Sequence, residues 1–338
     1  MEEISLEDLF RAWDEFKIGK RGKRDVGNFE RNLEDNLFGL YEMLRANTYR
    51  HGSYSGFNIY DPKFRIIHKA TVGDRIVHHA IFSIIEPLFD KIFIFDSYSC
   101  RRNKGTHRAV KKLAVFIRKV SKNYRGKCYC LKLDIKQFFA SVDHQILLAA
   151  LGKRVKSEPL LTLLKNIIGS FSRERGIPIG NLTSQIFANI YLNKLDQFVK
   201  HELKARYYLR YCDDFVIVSD DKNYLEDLIL EINDFLQTQL KLSLHENKRT
   251  IRKYTQGIDF LGYIILPHII VPRNKTKRRI FRKLRMKSEE FGNGRITGYS
   301  LNQSVQSYLG FLKHANAYRL SQELKNQAWL FGGLLSSS

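Results

Sequence analysis

The stretch 207–220, YYLRYCDDFVIVSD, constrains this chain more than any other. Tyr207, Leu209 and Tyr211 before the acids, and Phe215 and Ile217 after them, alternate with period two and are rich in strand-forming types. The pattern predicts two strands with Asp213 and Asp214 at or beside a hairpin tip. Aspartate also favours turns for its own reasons, so this pair alone leaves a structural and a chemical reading open. A second stretch, CYCLKLDIKQFF at 128–139, tips the balance toward the chemical one. Leu131, Leu133 and Ile135 share one predicted strand face, and Cys130, Lys132, Asp134 and Lys136 share the other. Asp134 is thus expected to emerge opposite the core, near the strand end. One carboxylate beside a hairpin carrying two is what a pair of magnesium ions requires. Magnesium takes hard oxygen ligands, usually one or two carboxylates plus substrate phosphates. Two such ions about 3.5–4 Å apart clamp the attacking and leaving oxygens of an in-line phosphoryl transfer.

With those residues in place, the chain resembles the reverse transcriptases. Tyr211-Cys212-Asp213-Asp214 is similar to their YxDD box, and Leu133–Phe139, LDIKQFF, to their first palm motif. The resemblance implies an α+β, right-hand polymerase with an antiparallel palm sheet plus helices. It places an N-terminal extension and fingers at 1–125, the palm at 126–271 with 150–185 contributing to the fingers, and a helical thumb at 272–338. It implies that Asp134, Asp213 and Asp214 are both the catalytic residues and the ligands of two Mg2+ ions, for which Mn2+ can substitute.

Charge agrees with a polyanionic partner. Lys and Arg number 57 against 35 Asp and Glu, a formal net charge of +22, which points to nucleic acid or an acidic membrane. No apolar run reaches the length of a spanning helix, and the acidic start MEEISLEDLF has no signal-peptide core. No membrane partner is therefore expected, and a cytoplasmic protein of prokaryotic or phage origin is. Cys100, Cys128, Cys130 and Cys212 have no C-x-x-C spacing, so zinc and a disulfide framework are not expected.

Helices are predicted at 5–17, 29–44 and 222–240, with another following His107 and running to about Lys122. A hairpin is predicted at 54–69 with its turn at Asp61-Pro62-Lys63. The resemblance puts Lys63 and Arg65 of this hairpin on the triphosphate of the incoming nucleotide, whose charge such cations offset. It makes Arg75, in the segment TVGDRIVHHA, a template or phosphate contact, with Asp74 its partner or a helix-start acid. Arg101, Arg102 and Lys104, in SYSCRRNKGTH, are expected against template. His68, His78, His79 and His107 lack carboxylates or cysteines at ligand spacing and read as structural or phosphate-contacting. The resemblance also places Ile135, Phe138 and Phe139 at the nucleotide, with Phe139 excluding a 2′-hydroxyl. Asp143 reads as a helix cap. Lys248 is implied near the nucleotide phosphates, and Gly262, in IDFLGYIIL, at the primer end. Between 273 and 287 lie nine basic residues and no acid, among them Lys277, Arg278, Arg282 and Arg285. Charges this dense call for a phosphate backbone.

The segment 176–196, GIPIGNLTSQIFANIYLNKLD, carries the finest distinction. Thr183 or Ser184 is predicted to cap its helix. Ordinary reverse transcriptases have QGxxxSP here, whereas Ile179, Gly180 and Gln185 spell IGxxxSQ. That form resembles the reverse transcriptases of diversity-generating retroelements, which copy a template RNA into cDNA with errors at template adenines. Ile179 cannot hydrogen-bond where the common Gln does, a loss of about 0.5–1.5 kcal/mol of positioning. The implied partners are template RNA, a cDNA or primer strand, deoxynucleotide triphosphates and a small basic accessory protein. Neither an RNase H domain nor a zinc-bearing nuclease is expected beyond the thumb. Three other readings stay open: a retron, group II intron or phage-defence reverse transcriptase, a template-independent polymerase, and a non-catalytic RNA-binding scaffold.

Overall fold

The computed structural model describes residues 3–60 and 64–332, and the expected turn at Asp61-Pro62-Lys63 lies outside them. In chain order the elements are α1 (Leu6–Lys17), α2 (Arg24–Arg31), α3 (Leu33–Arg45), β1 (Ser55–Ile59), β2 (Arg65–Lys69), α4 (Val72–Asp90) and α5 (Thr106–Val120). Then come β3 (Tyr129–Asp134), α6 (Phe138–Ser141), α7 (His144–Gly152), α8 (Glu158–Gly169), α9 (Leu182–Gln197), β4 (Tyr208–Tyr211), β5 (Asp214–Ser219) and α10 (Lys222–Leu240). The last are β6 (Thr250–Lys253), β7 (Ile258–Phe260), β8 (Tyr263–Leu266), β9 (Ile269–Pro272), α11 (Asn274–Gly292), α12 (Gly298–Leu312) and α13 (Tyr318–Gly332). Helices and antiparallel strands are mixed without a βαβ repeat, the α+β class expected. The four-stranded sheet has the order β4-β5-β3-β6, flanked in sequence by a β1-β2 hairpin and a β7-β8-β9 meander.

The chain divides into two units. The first comprises residues 1–105, 133–215 and 226–249, and the second comprises 106–132, 216–225 and 250–338. In the first, α1 and α9 both pack on α4. The apolar face of α1, Leu9, Trp13 and Phe16, is fully buried, as its 3–4 residue spacing dictates. The single helix expected at 29–44 is two helices, because Asn32 leaves helical geometry (φ −121°, ψ 47°) between α2 and α3. Apolar periodicity continues through such a break and cannot reveal it. In the second unit α11, α12 and α13 enclose one core built on Ile280, Leu284, Leu301, Val305, Leu312 and Leu324. The expected one-sided strand at β3 is buried on both faces: Cys130 is as enclosed as Leu131 and Leu133.

The start of α4 shows how a buried acid is satisfied. Thr71 caps the helix, accepting from the Asp74 N–H at 3.2 Å and donating its hydroxyl to Asp74 Oδ2 at 2.6 Å. The Tyr49 hydroxyl donates to Asp74 Oδ1 at 2.6 Å, and the Gly52 N–H lies 3.2 Å from Oδ2. Burial pushes this carboxyl up, but the Thr71 and Tyr49 hydroxyls outweigh it and leave Asp74 below the usual carboxylate range. A depressed folded value gives stability that is complete above the unfolded value of about 3.9 and is lost as pH falls through the folded one. Asp74→Asn is therefore expected to cost about 1.5–3 kcal/mol at pH 7. Urea unfolding at pH 7 and pH 3 checks this, with the gap between wild type and variant closing at the lower pH.

Candidate active site

The acids come together at one end of the four-stranded sheet. Cys212, between β4 and β5, takes the left-handed conformation at φ +55°, which turns the chain and delivers Asp213 to the tip. The Ile135 N–H, just beyond β3, donates to the Asp213 carbonyl at 3.2 Å. That bond sets Asp134 beside Asp213 across the sheet. Burial raises the Asp213 carboxyl above the usual range, and the Asp134 carboxylate raises it further. The adjoining β3 end is fixed by a second main-chain bond, from the His245 N–H to the Asp134 carbonyl at 2.8 Å. Asp214, the first residue of β5, is half-buried. Among the described residues no three His, Cys, Asp or Glu side chains converge to hold a metal ion. The arrangement is a carboxylate pair, Asp134 and Asp213, with Asp214 adjacent in sequence.

The donor chemistry fits a hard divalent cation. Both groups offer oxygen only, and magnesium ordinarily draws one or two carboxylates from protein and the rest of its shell from phosphate and water. Their mutual repulsion is also a demand for positive charge. Here Lys248 meets part of it: its ammonium contacts Asp134 Oδ1 at 2.5 Å.

The remaining expected residues divide into those that face outward and those the fold uses internally. Lys63 lies outside the described residues. Arg65 opens β2, opposite Ile59, and is exposed. Ile135 and Phe138, at 1% and 2% exposure, are buried in the core, Ile135 as the face it shares with Leu131 and Leu133 predicts. Phe139 is half-buried, its ring 5.3 Å from that of Phe138 in a T-shaped contact. Gln185 is exposed. Ile179 and Gly180 bind the β1-β2 hairpin: the Ile179 carbonyl accepts from the His68 N–H at 3.0 Å. Gly180 has φ +118°, and a Cβ there would stand 2.7 Å from the Ile67 Cγ2, so only glycine fits. The helix cap expected at Thr183 or Ser184 falls earlier, at Asn181, whose side chain makes no capping bond. Asn181 Nδ2 and Ser184 Oγ are buried without partners.

Two arginines expected at nucleic acid make bonds within the chain. The Arg75 guanidinium donates to Asp25 at 2.6 Å and lies over the Phe16 ring at 4.8 Å. Asp74 is the helix-start acid and not its partner. Arg101 donates to Asp90 Oδ1 at 2.6 Å and to the carbonyls of Ile94 and Ser97, so it shapes the loop it sits in. Arg102 is exposed, 3.9 Å from Glu86, and Lys104 lies 3.4 Å above the Phe95 ring. Asp143 caps α7 through the N–H groups of Gln145 and Ile146, as expected. His78 is buried with its Nε2 3.2 Å from His51 Nε2, in keeping with a structural histidine.

In the second unit, Gly262 makes the β7-β8 turn at φ +90°, and its Cα side faces Thr276 and Phe311. Its conformation answers to the turn and to α11 and α12. On α11, Lys275, Arg278, Arg282 and Arg285 are exposed on one helical face, with Lys277 exposed beside them, while Thr276, Ile280, Leu284 and Ser288 are buried on the other. The basic run is thus an ordered stripe, the geometry phosphate contact needs. Among the described residues no helix is long and apolar enough to cross a membrane.

Residues the sequence reading passed over stand behind the acids. Arg210 of β4 and Asp196 of α9 form an ion pair with neither side chain exposed. A lone arginine on an apolar strand, and Asn189 and Asp196 seven apart on an apolar helix, were the available signals.

Residues 59–265 match the family described as Reverse transcriptase (RNA-dependent DNA polymerase). The chain belongs to the reverse transcriptase family. Among curated proteins it is similar to Protein YkfC of Escherichia coli, 28% identical over 244 residues covering 60% of this chain and 64% of that one. It is also similar to the Group II intron-encoded protein LtrA of Lactococcus lactis, 23% identical over 314 residues covering 72% of this chain and 48% of that one. The chain thus spans less than two thirds of these relatives. Among solved structures, telomerase from Candida albicans in complex with a TWJ fragment of telomeric RNA superposes with a TM-score of 0.51 at 14% identity, covering 87% of this chain and 58% of that one. That likeness shows the fold, a right-hand polymerase of mixed helix and sheet.

The raised Asp213 value fixes a sign. Stability from this group is fullest below the unfolded carboxylate value and falls as pH rises through the folded one. Asp213→Asn is expected to raise the unfolding temperature at pH 7 in the presence of chelator, and to raise it less at pH 4. Thermal scans of the two proteins at both pH values check it.

Proposed function

We propose that this chain is an RNA-directed DNA polymerase that extends a primer on template RNA using deoxynucleotide triphosphates. The observation that carries the reading is the Asp134–Asp213 pair, joined through the Ile135–Asp213 main-chain bond at 3.2 Å and built on motifs of the family the chain belongs to. Fingers at 1–125, palm at 126–271 and thumb from 272 are the corresponding division. Asp134 and Asp213 would hold the divalent ions, with Asp214 completing the acidic surface. Those ions, when bound, supply charge to the attacking and leaving oxygens. The primer 3′-hydroxyl attacks the α-phosphate, its proton leaves to solvent, and the bond to pyrophosphate breaks. Positioning and charge stabilisation are the protein's share of such a step. Arg65 and Lys248 offset triphosphate charge, Lys248 giving up its contact with Asp134 to do so. Phe139 lies under the sugar, and the α11 stripe takes the backbone of the duplex, as Arg102 and Lys104 take the template.

The finer reading is a diversity-generating retroelement enzyme, working with a small basic accessory protein and misreading template adenines. Its support is Ile179 in the IGxxxSQ segment, a side chain without hydrogen-bonding capacity at a position whose carbonyl accepts from the His68 N–H of β2. A second reading, a group II intron-type reverse transcriptase, draws support from the likeness to LtrA.

Primer extension on a defined RNA with Mg2+ and each deoxynucleotide, followed by sequencing, tests both levels. Asp134→Ala and Asp213→Ala are expected to lose at least about a hundredfold in rate while still binding template and primer. Retained extension in either variant, or extension without template, overturns the polymerase reading. Ile179→Gln is expected to lower misincorporation opposite adenine, and an unchanged error spectrum favours the intron-type reading.

A further inference from the structure

We propose that Arg210 is a positioning residue for the acid pair, its guanidinium fixing the turn that carries Asp213 by holding the Cys212 carbonyl. The inference rests on the reading of Asp213 as a cation ligand. Tyr208 and Arg210 occupy the β4 face turned toward α9, and both side chains are fully buried. Arg210 Nε donates to Asp196 Oδ1 at 2.7 Å and Nη2 to Asp196 Oδ2 at 2.6 Å, a bidentate pair. Nη2 also donates to the Ser97 hydroxyl at 3.3 Å. Nη1 donates to Asn189 Oδ1 at 3.2 Å and to the Cys212 carbonyl at 3.1 Å. All five guanidinium N–H groups are thereby used. The Tyr208 hydroxyl adds a further bond to Asp196 Oδ1 at 2.7 Å.

The anchor is itself held. The Arg210 main chain bonds in both directions to the loop before α5, its N–H to the Asp96 carbonyl at 3.0 Å and its carbonyl to the Tyr98 N–H at 2.9 Å. Asn189 Nδ2 donates to the Ser99 carbonyl at 2.8 Å. The turn is therefore gripped at two successive carbonyls, Cys212 by Arg210 and Asp213 by the Ile135 N–H, and the Asp213 side chain projects from between the two grips. A buried ion pair is a poor device for stability alone, since apolar residues of the same volume often serve as well. A guanidinium with five fixed donors is a good device for holding a left-handed turn, such as that at Cys212, in one place. Lysine, a flexible point charge with three donors, keeps the charge pair but cannot span both Asp196 oxygens and the Cys212 carbonyl.

The test measures cation binding directly, by titrating Mn2+ into the full chain and reading free Mn2+ by electron paramagnetic resonance. Wild type is expected to bind, and Asp213→Ala to bind much more weakly; equal binding by these two overturns the ligand reading and this inference with it. Given that difference, Arg210→Lys is expected to weaken Mn2+ binding about tenfold. It should lower kcat with little change in nucleotide KM or template–primer affinity. A folded Arg210→Lys that binds Mn2+ as tightly as wild type overturns the inference alone. Should Arg210→Lys fail to fold, Asn189→Ala decides: it keeps the ion pair but removes the second anchor of Nη1. Mn2+ binding weakened about threefold supports positioning, on the same outer-shell reasoning, and unchanged binding overturns it.

Discussion

Two carboxylates pressed together at the end of a sheet are the constraint around which the first unit is arranged. Left alone, Asp134 and Asp213 repel when both are ionised, and burial together with the Asp134 carboxylate pushes the Asp213 carboxyl up. The fold keeps them together with main-chain bonds that no side-chain titration can remove, from Ile135 to Asp213 and from His245 to Asp134. It also lends Lys248 as a counter-charge. Proteins commonly give up stability where chemistry is done, and two like charges held this close are a cost to stability.

Charge inside the first unit follows one rule. The enclosed charged groups described above are tied to partners: Arg210 to Asp196, Asp74 to Tyr49 and Thr71, Asp143 to the start of its own helix, and the half-buried Arg101 to Asp90. A buried charge without such company costs several kcal/mol or more, of order the desolvation penalty itself. That is why two basic residues in template-like motifs, Arg75 and Arg101, turn out to be internal ties. The surplus of cations that remains outward is concentrated elsewhere, on the exposed face of α11.

Much of this was legible in the sequence. Alternation at 207–220 gave the hairpin, the spacing of Leu131, Leu133 and Ile135 gave the strand, and caps such as Asp143 announced themselves. What period-two patterns do not encode is depth. They could not tell that β3 is enclosed on both faces, that Phe138 is core while Phe139 is half-open, or that Asn32 interrupts a helix. Nor do they encode pairing between distant polar residues. Arg210 and Asp196 each look like an exception until the fold sets them face to face.

The bond between the His68 N–H and the Ile179 carbonyl, with Gly180 against Ile67, joins two segments over a hundred residues apart in sequence. The β1-β2 hairpin and the entry to α9 are consequently tied to each other by main chain. A shift of the hairpin that kept this bond would carry the backbone at position 179 with it, without an adjustable side chain between them.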